Sequence, residues 1–187
     1  MLLFVTEIDI SIFEGVYEPA EDSWLMVNHL PKISNTVLEV GCGTGLISIH
    51  LSKSGAKVTA VDVNPKAVEA TKFNAERNNT IIEVIESNIF DNLSGRKFHT
   101  IVCNPPYLPP PSKQYDDDDL ALAVEGGPTG SEFTNRFLFD APTFLEGQGS
   151  IFLITTSRMG QIKTTLKSEI IHQEQYFFEK LNLMRFY

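Results

Sequence analysis

The segment with the most specific chemistry is Asn104-Pro105-Pro106-Tyr107, which follows the apolar run His99–Cys103. Proline fixes φ near about −65° and has no N–H donor. The Asn104 side-chain carbonyl and the Pro105 backbone carbonyl are therefore two acceptors whose positions are fixed before a ligand binds. A planar –NH2 group offers one N–H to each acceptor, and Tyr107 can pack on its flat face. The loop therefore predicts chemistry at an amide or amino nitrogen.

An amide nitrogen is a weak nucleophile because its lone pair is delocalised into the C–N bond. Two acceptors that hold both hydrogens turn the lone pair toward an incoming methyl group. Such alignment can supply up to about 7–11 kcal/mol of a barrier, so no strong base or metal is required. The plainer alternative, a strand ended by an Asn-Pro turn, does not explain why an aromatic residue follows.

A glycine-rich turn, Gly41-Cys42-Gly43-Thr44-Gly45, follows the first predicted strand, and glycine lets the backbone bend tightly and approach a ligand. The dinucleotide pattern G-x-G-x-x-G fails in both registers, because Leu46 and Ser48 stand at the final positions, and no Gly-Lys-Ser/Thr is present. A pyrophosphate ligand is therefore disfavoured. A simple strand-to-helix turn stays open as the alternative.

Polar residues also end the next two strands. Asp62 ends the second, where an open parallel sheet binds ligands and where a carboxylate can accept both hydroxyls of a ribose, although a lone Asp there is often only a helix cap. Asn88 and Ile89 end the third and offer a polar edge and an apolar face to an adenine. The pattern predicts a nucleoside site across neighbouring strand ends.

Apolar β-branched runs alternate with helical patterns, which is typical of a parallel sheet covered by helices on both faces. The fold class is therefore α/β, and one domain over residues 1–187 is expected from the length. Strands are predicted at Thr36–Val40, Lys57–Val61, Ile81–Glu86, His99–Cys103 and Ser150–Thr156, with a final pair inside Gln175–Tyr187 joined around Glu179-Lys180. Helices are predicted from Pro19 to Pro31 with a stripe of Trp24, Leu25, Val27 and Leu30, and over Leu46–Ser52, Pro65–Asn78, Ser131–Asp140 and Met159–Glu169.

Composition excludes several classes of function. The chain has 15 basic and 24 acidic residues, a net charge of −9, which disfavours binding to a phosphate backbone. The run Asp116–Asp119 is interpreted as a solvated loop. No apolar stretch is long enough for a membrane span, and no secretory signal is found, so a cytoplasmic protein is expected. Cys42 and Cys103 lack the spacing of a zinc site, and no metal is expected.

With these residues in place, the chain resembles class I S-adenosylmethionine-dependent methyltransferases, most closely the HemK-type glutamine methyltransferases that modify peptide-chain release factors. Besides the Asn104–Tyr107 loop, the resemblance is carried by Val16-Tyr17-Glu18-Pro19-Ala20-Glu21-Asp22-Ser23, similar to a segment of the compact archaeal and eukaryotic branch, and by the glycine-rich stretch Ala123–Gly130. It implies a Rossmann-like fold with an open, mostly parallel seven-stranded sheet whose final strand is antiparallel.

The resemblance implies S-adenosyl-L-methionine as the cofactor and assigns roles to individual residues. Asn104 and Pro105 would hold the substrate amide, with Pro106 and Tyr107 completing the catalytic loop. The implied cofactor contacts are Ser23, Glu39 and Gly41 at the methionine part, Asp62 at the ribose, Asn88 and Ile89 at the adenine, and Asn104 beside the transferred methyl group. Asn88 departs from the family, where this position is usually Asp.

The resemblance also implies a small zinc-binding activator protein as partner, because the chain lacks the helical substrate-binding domain of the bacterial enzymes. The main hypothesis is N5-methylation of the glutamine in the Gly-Gly-Gln loop of a release factor. The first alternative is methylation of an exocyclic amino group of adenine or guanine in RNA or DNA, which presents the same two hydrogens. The second is a cofactor-binding subunit without activity, against which the intact Asn104–Tyr107 loop counts.

Overall fold

The computed structural model describes residues 8–110 and 118–187. Its strands are β1 (Thr36–Val40), β2 (Lys57–Asp62), β3 (Ile82–Glu86), β4 (Phe98–Cys103), β5 (Leu145–Thr156), β6 (Ser168–Tyr176) and β7 (Glu179–Phe186). Its helices are α1 (Glu21–His29), α2 (Leu46–Lys53), α3 (Pro65–Arg77), α4 (Asp118–Val124) and α5 (Glu132–Asp140), with a short 3-10 helix at Ala141–Phe144.

The strands form one sheet in the order β3-β2-β1-β4-β5-β7-β6. Strands β1 to β5 pair in parallel, and β7 pairs antiparallel with both β5 and β6. The predicted α/β class, seven strands and antiparallel final strand are confirmed. The chain first builds outward from β1 to β3 and then restarts at β4 on the other side of β1. Such a switch in strand order opens a crevice at the carboxyl ends of β1 and β4, where ligands bind.

Alternate residues of the central strands pack against opposite layers, as expected for a sheet buried on both faces. Val37 and Val102 belong to a core cluster with α1 and α2. Leu38 and Ile101 belong to a second cluster with α5. Helices therefore pack on both faces of the sheet. Its strand ends form a rigid base for the loops of the site.

Helix α3 begins as its sequence predicts. The Asn64 side chain accepts a hydrogen bond from the Lys66 amide at 2.9 Å, and Pro65 occupies the first helical turn. An Asn cap satisfies one free N–H of the first turn, and proline there sacrifices no hydrogen bond. This start fixes the direction in which the chain leaves Asp62.

The helix predicted over Met159–Glu169 is wrong. No helix occurs between β5 and β6, where the chain runs through turns, bends and irregular backbone. The Gly160 amide donates to the Thr129 carbonyl at 2.8 Å, and the Lys163 amide donates to Asn135 Oδ1 at 2.7 Å. Tertiary partners thus take the amides that a helix would use, and a glycine with two β-branched threonines gives little propensity to oppose them.

Three smaller predictions are corrected. The last two strands do pair, but they turn at Phe177-Phe178 rather than Glu179-Lys180, and the first begins at Ser168. Trp24 lies outside the buried stripe of α1, with 41% of its surface exposed. Of the acidic run, Asp116 and Asp117 lie outside the described residues, whereas Asp118 and Asp119 open α4 instead of lying in a loop.

Among residues 8–110 and 118–187, none of the helices is both long and apolar enough to cross a bilayer.

Candidate active site

A cleft of about 950 Å³, part of it open to solvent, lies at the carboxyl ends of the central strands. Most of the predicted site residues line it, although they come from distant parts of the sequence. Those lining it are Ser23, Glu39, Gly41, Asp62, Asn88, Ile89, Asn104 and Pro106. Of the other two, Pro105 is buried, and Tyr107 directs its hydroxyl to Asp22 Oδ2 at 3.1 Å.

The glycine-rich turn after β1 needs a left-handed backbone. Gly41 has φ +77°, and its amide donates to the Val61 carbonyl of the neighbouring strand at 2.8 Å. Gly45 has φ +85°, and a Cβ there would lie 3.0 Å from the Thr71 side chain. Both positions favour glycine because L-residues rarely adopt this φ. The backbone of this turn therefore runs close along the bottom of the cleft.

The Asp62 carboxylate ties this turn to the end of β2. Its Oδ2 accepts the Gly43 amide at 3.0 Å, and its Oδ1 accepts the Asn64 amide at 2.9 Å. Burial raises its pKa, while these backbone donors act in the opposite direction. Each oxygen keeps a second lone pair, so the carboxylate can still accept the hydroxyl groups of a ligand.

Glu39 is a buried carboxyl group at the end of β1, with only 1% of its surface exposed. The Ser48 hydroxyl donates a hydrogen bond to its Oε2. Burial raises the pKa of Glu39 to about 8, against an ordinary value of 4.5, and the nearby Asp62 charge adds to the shift. A positively charged ligand group in the cleft would favour the ionised form of Glu39.

Ile89 carries backbone strain beside the cleft. Its φ is +54°, an outlier for a β-branched residue, and its side chain is buried. The Ser87 hydroxyl braces the turn, because it donates to the Ile89 carbonyl at 3.3 Å and accepts the Asn92 amide at 3.1 Å. Asn88 is exposed within the same turn. Strain of this kind concentrates at functional sites, where the surrounding structure holds it in place.

Among the described residues, one polar side-chain atom of Asn104 has a hydrogen-bond partner and the other has none. Its Nδ2 donates to the Ser23 Oγ at 3.3 Å. Its Oδ1 is buried, and within the described part of the chain it has no hydrogen-bond partner. A buried carbonyl without a partner costs free energy, and such exceptions call for a functional explanation. The bond to Ser23 presents this oxygen as an acceptor for a ligand N–H.

Sequence reasoning gave no role to Asp22, which organises the site from α1. This buried carboxylate accepts the Tyr17 hydroxyl at 3.2 Å and the Tyr107 hydroxyl at 3.1 Å. It also accepts the Ser23 amide at 2.6 Å and the Ser23 hydroxyl at 3.1 Å. Burial, reinforced by the Asp22 charge, raises the pKa of Tyr107, which stays a neutral donor. Tyr17 and Asp22 lie in the Val16–Ser23 segment. The resemblance of this segment to the family was the sequence signal that could have identified them.

The last residue of α4 and the glycine-rich stretch after it brace the Asn104–Tyr107 loop. The Tyr107 and Leu108 amides both donate to the Val124 carbonyl, at 3.1 and 2.8 Å. A Cβ on Gly126 would lie 2.5 Å from the Pro106 carbonyl oxygen, and one on Gly130 would lie 2.3 Å from the Tyr107 carbonyl oxygen. Only glycine permits this approach.

Several further residues line the cleft without having been predicted. Thr44 and Asn64 belong to the two turns described above, and Leu122, Ala123 and Phe133 come from α4 and α5. The apolar members carry no pattern that separates them from ordinary core residues. Their place in the cleft follows only from where α4 and α5 lie in the folded chain.

The chain is similar in sequence to known methyltransferases. The Methyltransferase small domain family model matches residues 16–117. MJ0928 of Methanocaldococcus jannaschii, a proposed protein N5-glutamine methyltransferase, is 41% identical over 169 residues, which cover 89% of this chain and 85% of that protein. The release factor glutamine methyltransferase of Geobacter sulfurreducens is 28% identical over 172 residues, which cover 85% of this chain and 59% of that protein.

A solved structure has the same fold. A methyltransferase from Pyrococcus furiosus superposes with a TM-score of 0.73 at 20% sequence identity. The match covers 98% of this chain and 90% of the other.

Proposed function

Because the chain belongs to the Methyltransferase small domain family and, within it, to the HemK-type glutamine methyltransferases, we propose that it methylates the side-chain nitrogen of a protein glutamine, with S-adenosyl-L-methionine as the methyl donor. The observation that carries the proposal is the buried Asn104 Oδ1, which has no partner among the described residues. A substrate amide N–H is the complementary donor.

The cleft residues fit the proposed cofactor. The Asp62 carboxylate retains acceptor capacity for ribose hydroxyls, and the exposed Asn88 with the buried Ile89 offers an edge and a face for an adenine. The buried Glu39 supplies a carboxyl group that a cationic amino-acid end would favour in its ionised form. The cofactor supplies an electrophilic methyl group on a sulfonium sulfur.

The proposed reaction depends on how the chain holds the glutamine amide. Asn104 Oδ1 and the Pro105 carbonyl each accept one N–H, which fixes the plane of the amide and so aims the nitrogen lone pair into the cleft. With the cofactor bound, the oriented nitrogen would take up the methyl group, and the proton that it loses would pass to solvent. Positioning of the reactants provides the catalysis.

The proposed substrate is a peptide-chain release factor, at the glutamine of its Gly-Gly-Gln loop. The Geobacter relative is named for this activity, and the net charge of −9 disfavours a nucleic acid. A small zinc-binding activator protein is proposed as partner, on the resemblance to the compact branch of the family. A cytoplasmic location is also proposed, because release factors work at ribosomes.

A labelled-methyl assay tests the substrate class. The protein is offered a release factor, its Gln-to-Ala variant in the Gly-Gly-Gln loop, tRNA and duplex DNA, each with and without a small zinc-binding activator. We expect label on the intact release factor alone. Label on tRNA or DNA would favour the exocyclic amino alternative, and no label anywhere despite cofactor binding would favour a non-catalytic subunit.

A further inference from the structure

Two histidines and a glutamate meet where the end of α1 packs against β6, outside the cofactor cleft. The Nε2 atom of His29 lies 3.4 Å from Glu174 Oε1, and the Nε2 atom of His172 lies 3.3 Å from the same oxygen. The three ligand atoms all lie within 4.8 Å of one another. His172 and Glu174 are two residues apart on one strand and therefore share a face, while His29 ends the helix opposite.

The spacing of these atoms fits a metal site as well as an ordinary ion pair. Around a tetrahedral Zn²⁺ with ligands at about 2.0–2.2 Å, neighbouring ligand atoms lie about 3.3–3.6 Å apart. Both distances to Glu174 Oε1, 3.4 and 3.3 Å, fall in this range. Two imidazoles and one carboxylate suit zinc, whereas Ca²⁺ and Mg²⁺ prefer oxygen ligands alone.

The two imidazole rings need a small adjustment to bind an ion. They are stacked, with centroids 3.5 Å apart and planes 7° from parallel. An imidazole binds a metal in its own plane, so each ring must rotate about its Cβ–Cγ bond until the two lone pairs converge. The side chains of His29 and His172 are 32% and 35% exposed, which leaves space for this rotation, and the torsion itself is soft.

The surroundings of Glu174 support a ligand role. The Tyr176 hydroxyl donates to its other oxygen, Oε2, and leaves Oε1 toward the histidines. Outer partners of this type orient metal-binding carboxylates. A surface cleft lined by Trp24, Glu174 and Tyr176 opens beside the cluster and leaves room for a fourth ligand such as water.

We propose that His29, His172 and Glu174 form a Zn²⁺ site that cross-links the end of α1 to the edge strand β6. The site is separate from the proposed methyl transfer, since none of its three residues lines the cofactor cleft. A bound ion would hold α1 against the sheet. The first turn of this helix carries Asp22 and Ser23.

The test uses the 187-residue chain without an affinity tag, stripped with a chelator and titrated with Zn²⁺ alone in competition with a zinc indicator. We expect saturation at one ion per chain and a rise in Tm. Both effects should be lost in His29→Ala, His172→Ala and Glu174→Gln, and kept in the control His50→Ala, which changes a histidine outside the cluster. In Tyr176→Phe the affinity should fall by about tenfold or more.

Imidazole NMR signals provide a second measurement that needs no variant to fold. On titration with Zn²⁺ the ring signals of His29 and His172 should shift together, while those of His50 and His99 stay in place. Mg²⁺ should shift none of them. Absence of saturable binding, binding that survives all three ligand substitutions, or shifts confined to other residues would each overturn the site.

Discussion

The uncommitted Oδ1 of Asn104 is the atom on which the proposed reaction depends, and the side chain is held in place through Nδ2 by Ser23. The neighbouring Asp22 holds Ser23 in turn. A short chain of side chains from α1 therefore sets the orientation of the Asn104 amide.

Asn104→Ala should remove methyl transfer while leaving cofactor affinity largely intact. Loss of the aligning acceptor should lower kcat by at least about a hundredfold. The labelled-methyl assay measures transfer, and calorimetry measures cofactor affinity. Asp62→Ala is the matched comparison, because it should weaken the cofactor first. Full activity of Asn104→Ala would contradict the mechanism.

Glu39 predicts a dependence of stability on pH. Its pKa is about 8 in the folded protein against an ordinary 4.5, so folding favours the protonated form. The stability it contributes is fully present below about 4.5 and is lost as the pH rises through about 8. Glu39→Gln keeps a neutral side chain of the same shape at every pH.

Urea unfolding of both proteins across this pH range measures the effect. The free energy of unfolding of the wild type, relative to Glu39→Gln, should decrease steadily from pH 4.5 to about 8. A difference between the two proteins that does not change with pH would show that Glu39 keeps an ordinary pKa in the folded state.

At the scale of elements, the end of α4 and the glycine-rich stretch after it position the Asn104–Tyr107 loop. The Tyr107 and Leu108 amides donate to the Val124 carbonyl, and the Gly126 amide donates to the Leu108 carbonyl. The close approach at Gly126 leaves no room for a side chain, because both of its nearest neighbours are backbone oxygens. The shape of the loop therefore depends on a segment that does not itself contact the proposed amide.

Gly126→Ala should displace the Asn104–Tyr107 loop. A Cβ there would lie 2.4 Å from the Gly130 carbonyl oxygen and 2.5 Å from that of Pro106. We expect a loss of about 1–3 kcal/mol in the free energy of unfolding, together with reduced kcat. Gly147→Ala is the control, because an added Cβ there has no atom within 4 Å in the described structure. Equal activity of the two variants would refute the bracing role.

At the scale of the whole molecule, the sheet is stabilised from both faces, and the layer formed by α5 contributes a fully buried ring, Phe137. Two residues later on the same helix, Phe139 is 85% exposed. The pair offers the same side chain in opposite surroundings, which isolates the effect of burial on global stability from any difference in chemistry or helix propensity.

Phe137→Ala should lower the free energy of unfolding by about 3–5 kcal/mol, because it removes a buried ring and leaves a cavity. Phe139→Ala should change it by no more than about 0.5 kcal/mol. Chemical denaturation of both variants measures the difference. Similar losses in the two would mean that α5 does not pack on the sheet through Phe137.

Local sequence signals were sufficient where the cause of a structure is itself local. The cap at Asn64-Pro65 and the polar residues at the strand ends were predicted in place, and the alternation of patterns gave the sheet and its helical layers. The helix predicted over Met159–Glu169 failed because its amides bind to Thr129 and Asn135, which are distant in sequence. Periodicity carries no information about such partners.

The sequence by itself determined the α/β class, because the strand and helix patterns are local. It also predicted the chemistry of Asn104-Pro105-Pro106-Tyr107 from residue type and spacing. The residues expected around the cofactor were predicted partly from the strand ends and partly from the family resemblance. Only the tertiary structure showed that Asp22 orients this loop through Ser23 and that Asn104 Oδ1 is the free acceptor. The cluster of His29, His172 and Glu174 is likewise a product of folding. Hydrogen bonds and metal ligands act over a few ångströms in space, and contacts between distant parts of a chain exist only once the sheet has brought α1 and β6 together.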